Sequence, residues 1–182
     1  MNIRWRKAYS ADAEEVAAIG RRTFDETWSP FYSPEDMRNY LSGAFDIDLI
    51  RSQLADTVHT AFFLFYADGQ AAGYVKLTTG PDIFEIEGRK AGDIERFYFF
   101  RRYHATGLAH RAMEVTLEHL KEMGCDWASL GVDINNHRAI RFYTKYGFVV
   151  YGKKDFVVGS VVDTDQLMKR PLQDINRRNP SA

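Results

Sequence analysis

The chain has 182 residues, with 24 lysines and arginines against 25 aspartates and glutamates; a net charge of −1 argues against a general nucleic-acid binder, which carries a basic footprint. Hydrophobic residues make up 45% and charged residues 27%, ordinary globular usage, so neither a disordered nor a fibrous class fits and one domain with a substantial core is expected. Cys125 is the sole cysteine, which excludes an internal disulfide, and the charged start MNIRWRKAYS with no apolar run near ~20 residues argues against a secretory leader or a membrane span, giving a cytoplasmic expectation.

Residues 3–8 read as a short strand. Ser10 and Asp12 are candidate N-caps for a helix with Glu14 and Glu15 in its first turn and an apolar face, Val16, Ile19 and Phe24, that runs out near Phe24. The segment 25–34 loses periodicity around two prolines, predicting a loop rich in aromatics and acids, and Ser33-Pro34-Glu35-Asp36 opens a second helix. Ile47, Ile50 and Leu54 predict a third helix over residues 46–55. Residues 60–66 are nearly all apolar, as in a strand buried on both faces. Asp68-Gly69 supplies a hairpin turn and residues 71–79 the return strand. Residues 80–92 contain Pro81, glycines and acids and are predicted to form an exposed connection.

Residues 94–100 mix aromatic and β-branched types as a strand does. They run into RRYHATGLA, where Gly107 precedes an apolar stripe of Ala109, Ala112, Met113, Thr116, Leu117 and Leu120 ending near Gly124. A strand giving way to a helix start offers unpaired N–H groups and the positive end of a helix dipole, and a small residue lets an anion reach the main chain. The stretch reads as a phosphate cradle, although a glycine serving only helix–strand packing would look the same. Cys125, between helix and strand without a base partner, is read as structural. Residues 126–132 form another strand, Asn135 or Asn136 starts the last helix, Ala139, Phe142, Tyr143 and Tyr146 share one of its faces, and Gly147 suits its C′ position. Residues 149–158 and 161–168 make a terminal hairpin across Gly159-Ser160, and the polar tail 173–182 is expected to be mobile beyond a single domain of residues 1–172.

HATGLA at 104–109 resembles the Q/R-x-x-G-x-G/A acetyl-CoA loop of the GNAT N-acetyltransferases, and NHRAIRFYTKYGF from Asn136 resembles their N-x-x-A-x-x-F-Y-x-K-x-G-F segment, in the same order and separation. FFLFYADGQAAGYVKL at 62–77, IERFYF at 94–99 and TDQLM at 164–168 are similar to the PaiA-type branch, described as spermidine/spermine N-acetyltransferases. The resemblance implies an α/β (α+β) GNAT fold, a mixed, mostly antiparallel sheet of about seven strands with flanking helices, two central strands of which splay apart to admit the cofactor. It implies transfer of the acetyl group of acetyl-CoA to a primary amine, most readily a polyamine such as spermidine or spermine, by direct attack in a ternary complex. Acetylation of a protein N-terminus or lysine, and a non-catalytic CoA-binding regulatory module, are the alternatives. The expected partner is a small-molecule amine, with no nucleic acid, membrane or metal, and the protein a monomer or homodimer.

The same resemblance assigns residues. Main-chain N–H groups of Ala105, Thr106, Gly107, Leu108, Ala109 and His110 would hold the CoA pyrophosphate. The strand of Phe97, Tyr98 and Phe99 would pair its main chain with pantetheine, and one of its N–H groups would polarise the thioester carbonyl. His104 stands where the family usually has Gln or Arg, and is either a phosphate contact or a solvent-facing loop residue. Tyr143 is assigned as the acid for the departing thiolate, against a core tyrosine bonded to backbone. Glu95 is the candidate base, acting through a water, or else pairs with Arg96 or another nearby cation. Asn136 contacts pantetheine, caps its helix, or does both; Lys145 reaches CoA phosphate or is a solvated lysine. Asp25, Glu26, Trp28 and Tyr32 fall where the family builds one wall of the acceptor site and could hold a cationic amine by charge and ring face. The sequence favours the plainer reading, in which Trp28, Phe31 and Tyr32 pack the helix pair and the acids face water.

Overall fold

The computed structural model describes residues 1–80, 86 and 88–172. Its strands are β1 (Ile3–Lys7), β2 (Thr60–Ala67), β3 (Gln70–Thr78), β4 (Ala91–Phe99), β5 (Trp127–Asp133), β6 (Val149–Val158) and β7 (Val161–Pro171), and its helices α1 (Ala13–Trp28), α2 (Pro34–Ala44), α3 (Ile47–Ala55), α4 (Leu108–Glu122) and α5 (His137–Lys145). The seven strands form one sheet in the order β1-β2-β3-β4-β5-β7-β6, antiparallel throughout except between β4 and β5. This is the mixed, mostly antiparallel arrangement that the sequence predicts.

The unbroken apolar run of β2 has a simple cause. Successive side chains point to opposite faces of a strand, and both faces here are covered. Phe63 and Phe65 pack with Leu108, Met113 and Leu120 of α4, whereas Phe62 and Leu64 pack with Val16 and Ile19 of α1 and with Ile50 and Leu54 of α3. Among the described residues no helix is long and apolar enough to cross a membrane.

β4 and β5 stay together for three rungs only, Ala91 with Trp127, Gly92 with Ala128 and Asp93 with Ser129. Past Asp93 the strands diverge. The bend originates in β4, where the register against β3 jumps from Leu77–Ile94 to Lys76–Arg96 and leaves Glu95 as an extra, bulged residue. At the fork Ser129 Oγ donates to Asp93 Oδ1 at 2.8 Å. Gly92 sits so close to α4 that a Cβ there would lie 2.5 Å from the Leu120 side chain.

Three expectations need correction. α1 does not stop near Phe24 but continues to Trp28, because tertiary packing extends it: Phe24 stacks on Tyr40 at 4.5 Å, and Trp28 Nε1 donates to Tyr98 Oη at 3.4 Å. Asp25, Glu26 and Trp28 therefore stand on a helix. Ser10 lies in a 3-10 turn, and Asp12, although at the N-cap position, makes no side-chain cap bond, since its carboxylate takes Arg6 and the Tyr9 N–H at 2.8 Å each. β4 begins at Ala91, and Ile86, Ala91 and Trp127 bury one another, so the preceding connection is not wholly exposed. Residues 81–85 and 87 of that connection, and the 173–182 tail, lie outside the described residues.

Candidate active site

The divergence of β4 from β5 opens a cleft of about 450 Å³ whose walls are the two strands, the loop before α4, and α5. One edge of β4 remains bonded to β3, where the Phe100 N–H donates to the Ala72 carbonyl at 3.0 Å. Because the C=O and N–H of one trans peptide point in opposite directions, the Phe99 carbonyl of that same peptide turns the other way, into the cleft, where His104 Nε2 meets it at 3.1 Å. The Phe97 ring packs beside Phe99, Phe142 and Tyr143 at centroid distances of 5.0, 5.9 and 6.2 Å.

At the mouth of the cleft the chain makes a short 3-10 turn over Arg101–Tyr103 and enters α4 through Gly107, whose φ is +90°. That conformation is easy for glycine and costly for residues with a Cβ. Ala105 also has positive φ, +61°. The first helical bond is Arg111 N–H to the Gly107 carbonyl, 3.2 Å, which leaves the preceding N–H groups of the first turn without helical acceptors. Thr106 Oγ donates back to the Tyr103 carbonyl at 2.7 Å, and Leu108 is fully buried beneath the turn. The cradle thus presents main chain rather than side chains.

Tyr143 and Glu95 both line this cleft, as do Phe97, Tyr98, Phe99, His104, Ala105, Gly107, Ala109, His110, Asn136 and Lys145; Thr106 and Leu108 do not. Asn136 caps α5 through Oδ1, which accepts the Ala139 N–H at 3.2 Å, and His110 Nδ1 is engaged by Tyr146 Oη at 2.9 Å. Tyr143 is 8% exposed, and its hydroxyl makes no hydrogen bond to a described residue. Burial, reinforced by Tyr98 and opposed by Arg138, pushes its phenol above the ordinary range, so it carries its proton at neutral pH.

Glu95 is bound as an ion pair. Lys76 Nζ donates to its carboxylate at 2.7 Å and Thr78 Oγ at 2.7 Å, with Arg96 Nε 3.8 Å away. Burial works against ionisation of Glu95, but Lys76, Thr78 and Arg96 together outweigh it and hold the carboxyl below the usual range. The Lys76 ammonium, 4% exposed, is pushed down by burial in spite of Glu95.

A second cavity of about 460 Å³ adjoins the first and shares Thr27, Trp28, His104, Asp133, Asn136 and Arg138 with it. Its acids are Glu26, Asp133 and Asp163, and Phe31, 70% exposed, stands on its rim. Sequence reasoning missed Asp133 and Asp163. The sequence carries only part of the signal, the alternation of Asp163 and Asp165 along β7; the β5–β7 ladder, which sets Asp133 opposite Asp165, is what puts three carboxylates on one face. Burial raises Asp165; Lys154 opposes the rise, and Asp133 and Asp163 add to it.

Of the four proposed acceptor residues, the fold brings only Glu26 and Trp28 to the cavity. Glu26 also ties down the following turn, accepting the Arg101 N–H at 2.9 Å. Asp25 is exposed on α1 away from both cavities, and Tyr32 is buried with its hydroxyl donating to Asp163. Helical phase along α1 turns Asp25 off the cavity wall, whereas Tyr32 lies beyond the end of α1 and packs behind the wall, its ring 6.1 Å from that of Trp28.

A sheet forked beside a glycine-led helix start, with an unbonded phenol facing the fork, is the architecture of a cofactor-dependent acyl-transfer enzyme. The acetyltransferase (GNAT) family profile matches residues 20–148, and the chain belongs to that family, with acetyl-CoA as its acyl donor. It is 32% identical over 165 residues to an uncharacterized N-acetyltransferase of Lactobacillus delbrueckii subsp. lactis, covering 88% of this chain and 92% of that one. A spermine/spermidine N(1)-acetyltransferase of Bacillus subtilis (strain 168) is 29% identical over 92 residues, half of this chain and 60% of that one. The fold is similar to that of the PaiA N-acetyltransferase from Thermoplasma acidophilum in complex with coenzyme A, with a TM-score of 0.74 at 20% identity over 94% of this chain and 99% of that one.

Proposed function

We propose that the protein acetylates a small polycationic amine of the spermidine or spermine type, by direct attack of the neutral amine on acetyl-CoA in a ternary complex. The observation that carries this reading is the adjacency of the two cavities: one lined by Glu26, Asp133 and Asp163, the other by the cradle and Tyr143, with a common wall. Carboxylates around an aromatic wall suit an ammonium chain. The partial similarity to a spermine/spermidine acetyltransferase supports the same substrate class.

In this reading the N–H groups opening α4 hold the CoA pyrophosphate, Asn136 and the cleft-facing peptides of β4 align pantetheine, and Lys145 reaches a CoA phosphate. The amine, with a pKa near ~10, must lose a proton before it attacks. Glu95 takes that proton through a water. Its depressed pKa makes it a weak base, and Lys76 holds it in place. Tyr143 donates to the departing sulfur. A free thiol has a pKa of about 8.5, below a phenol's ordinary 10, and burial holds Tyr143 higher still. The phenol therefore keeps its proton in the resting enzyme and acts by hydrogen bonding to the sulfur as negative charge develops there, with no full transfer beforehand.

A second reading, acetylation of a peptide amine, draws on exposed Phe31 at the cavity rim, which suits an apolar side chain next to the amine. Thiol release measured with spermidine, spermine and a panel of peptides separates the two. A kcat/KM for peptides above that for every polyamine overturns the first reading.

A further inference from the structure

His104 occupies the loop between β4 and α4 and bonds on both sides. Nε2 lies 3.1 Å from the Phe99 carbonyl, and Nδ1 is hydrogen-bonded to Arg138 Nη1 at the start of α5. A carbonyl oxygen only accepts and a guanidinium only donates. The partners therefore fix the ring: the proton sits on Nε2 and the lone pair on Nδ1, and the imidazole is neutral. A protonated ring has no lone pair for Arg138 and would repel it.

The bond crosses the mouth of the cleft. It joins the β4 bank, through Phe99, to the α5 bank, through Arg138, and the side chains of His104 and Arg138 line both cavities. It also anchors the residue immediately before Ala105, whose left-handed φ of +61° is costly for a residue with a Cβ and needs an external restraint. We propose that neutral His104 is a positioning residue that locks the phosphate cradle to α5, so that acid weakens acetyl-CoA binding by unlocking it.

The groups that face the ring are consistent with this. Burial first, then Arg138 and Arg101, hold its pKa below the ordinary histidine value, against the opposing effects of the Phe99 carbonyl and of Glu26 on α1. The ring is neutral at neutral pH and the lock closed. It opens as pH falls through the depressed value.

The test is CoA binding by calorimetry from about pH 8 to about pH 5, the interval in which histidine titrates, with the wild type, His104→Phe and His104→Gln. A glutamine can donate to Phe99 and accept from Arg138 with one amide, but it does not titrate. Phe should weaken binding at the upper pH about tenfold, the loss of a hydrogen bond to a charged group. Gln should recover most of that loss, and its affinity should fall less steeply with acid than the wild type's, the shared remainder being the ligand's own phosphate titration. If His104→Phe does not fold, Arg138→Met removes the same bond and should weaken binding similarly. An acid dependence in His104→Gln as steep as the wild type's overturns the proposal, as does unchanged affinity in His104→Phe or, in its place, Arg138→Met.

Discussion

The Tyr143 ring meets Phe97 edge-on, centroids 6.2 Å apart at 69°, and its hydroxyl reaches the cleft without a hydrogen bond to any described residue. Packing holds the ring, and the proton is left for a ligand. Tyr143→Phe keeps the packing, so kcat should fall roughly 100-fold, the lower end of general acid catalysis, with the KM for acetyl-CoA little changed. An unchanged kcat removes Tyr143 as the acid. Because burial raises its pKa, the alkaline limb due to this phenol should lie above the ordinary ~10.

Glu95→Gln strands a Lys76 ammonium that is 4% exposed. The Glu95 side chain is 35% exposed, so the 3–5 kcal/mol typical of a broken buried pair is discounted to about 2 kcal/mol, a fall in Tm of roughly 4–8 °C. Lys76→Met combined with Glu95→Gln should recover most of it, and calorimetry of the three variants checks this. Glu95's folded pKa lies below its unfolded value, so the stability it contributes is present above the ordinary glutamate value and is lost as pH falls through the depressed one.

Asp133→Asn and Asp163→Asn remove charge from the acid-lined cavity without touching the cradle. Each should raise the KM for spermidine about tenfold, as expected for losing a charge-assisted contact, and Asp163→Asn, outside the cofactor cleft, should leave the KM for acetyl-CoA unchanged. The double variant should show a weaker salt dependence of kcat/KM. Equal effects on both substrates would place these acids in folding rather than recognition.

Gly107→Ala meets no atom within 4 Å, so any effect comes from the backbone at φ +90°. The cost should be about 1–2 kcal/mol, visible as a lower Tm and a higher KM for acetyl-CoA. Ala105→Gly at φ +61° relieves strain while adding chain entropy to the unfolded state, so its Tm should hold within a few degrees. Equal losses in the two variants would show that conformation is not the cause.

What could be read from the chain was local. The hairpin at Asp68-Gly69, the cap at Asn136 and the helix start at Gly107 each depend on residues within a turn of one another. The cleft residues were legible for the same reason, because the loop before α4 and the α5 segment are each contiguous. The acid-lined cavity was not, since Asp133 and Asp163 are brought together only by β7 pairing between β5 and β6, a sheet order that no short pattern encodes. The bulge at Glu95 and the extra turn of α1 were hidden too, as both come from neighbours distant in sequence, Lys76 in the first case and Tyr40 and Tyr98 in the second.

Three rungs between β4 and β5 are all that stitch the sheet along its middle. The molecule is in effect two plates, strands one to four on one side and five to seven on the other, joined at a short seam. A pantetheine arm lying in the gap would supply the missing stitches with its own amides, so loading the donor should also stiffen the whole protein, and the empty enzyme should breathe most along this line.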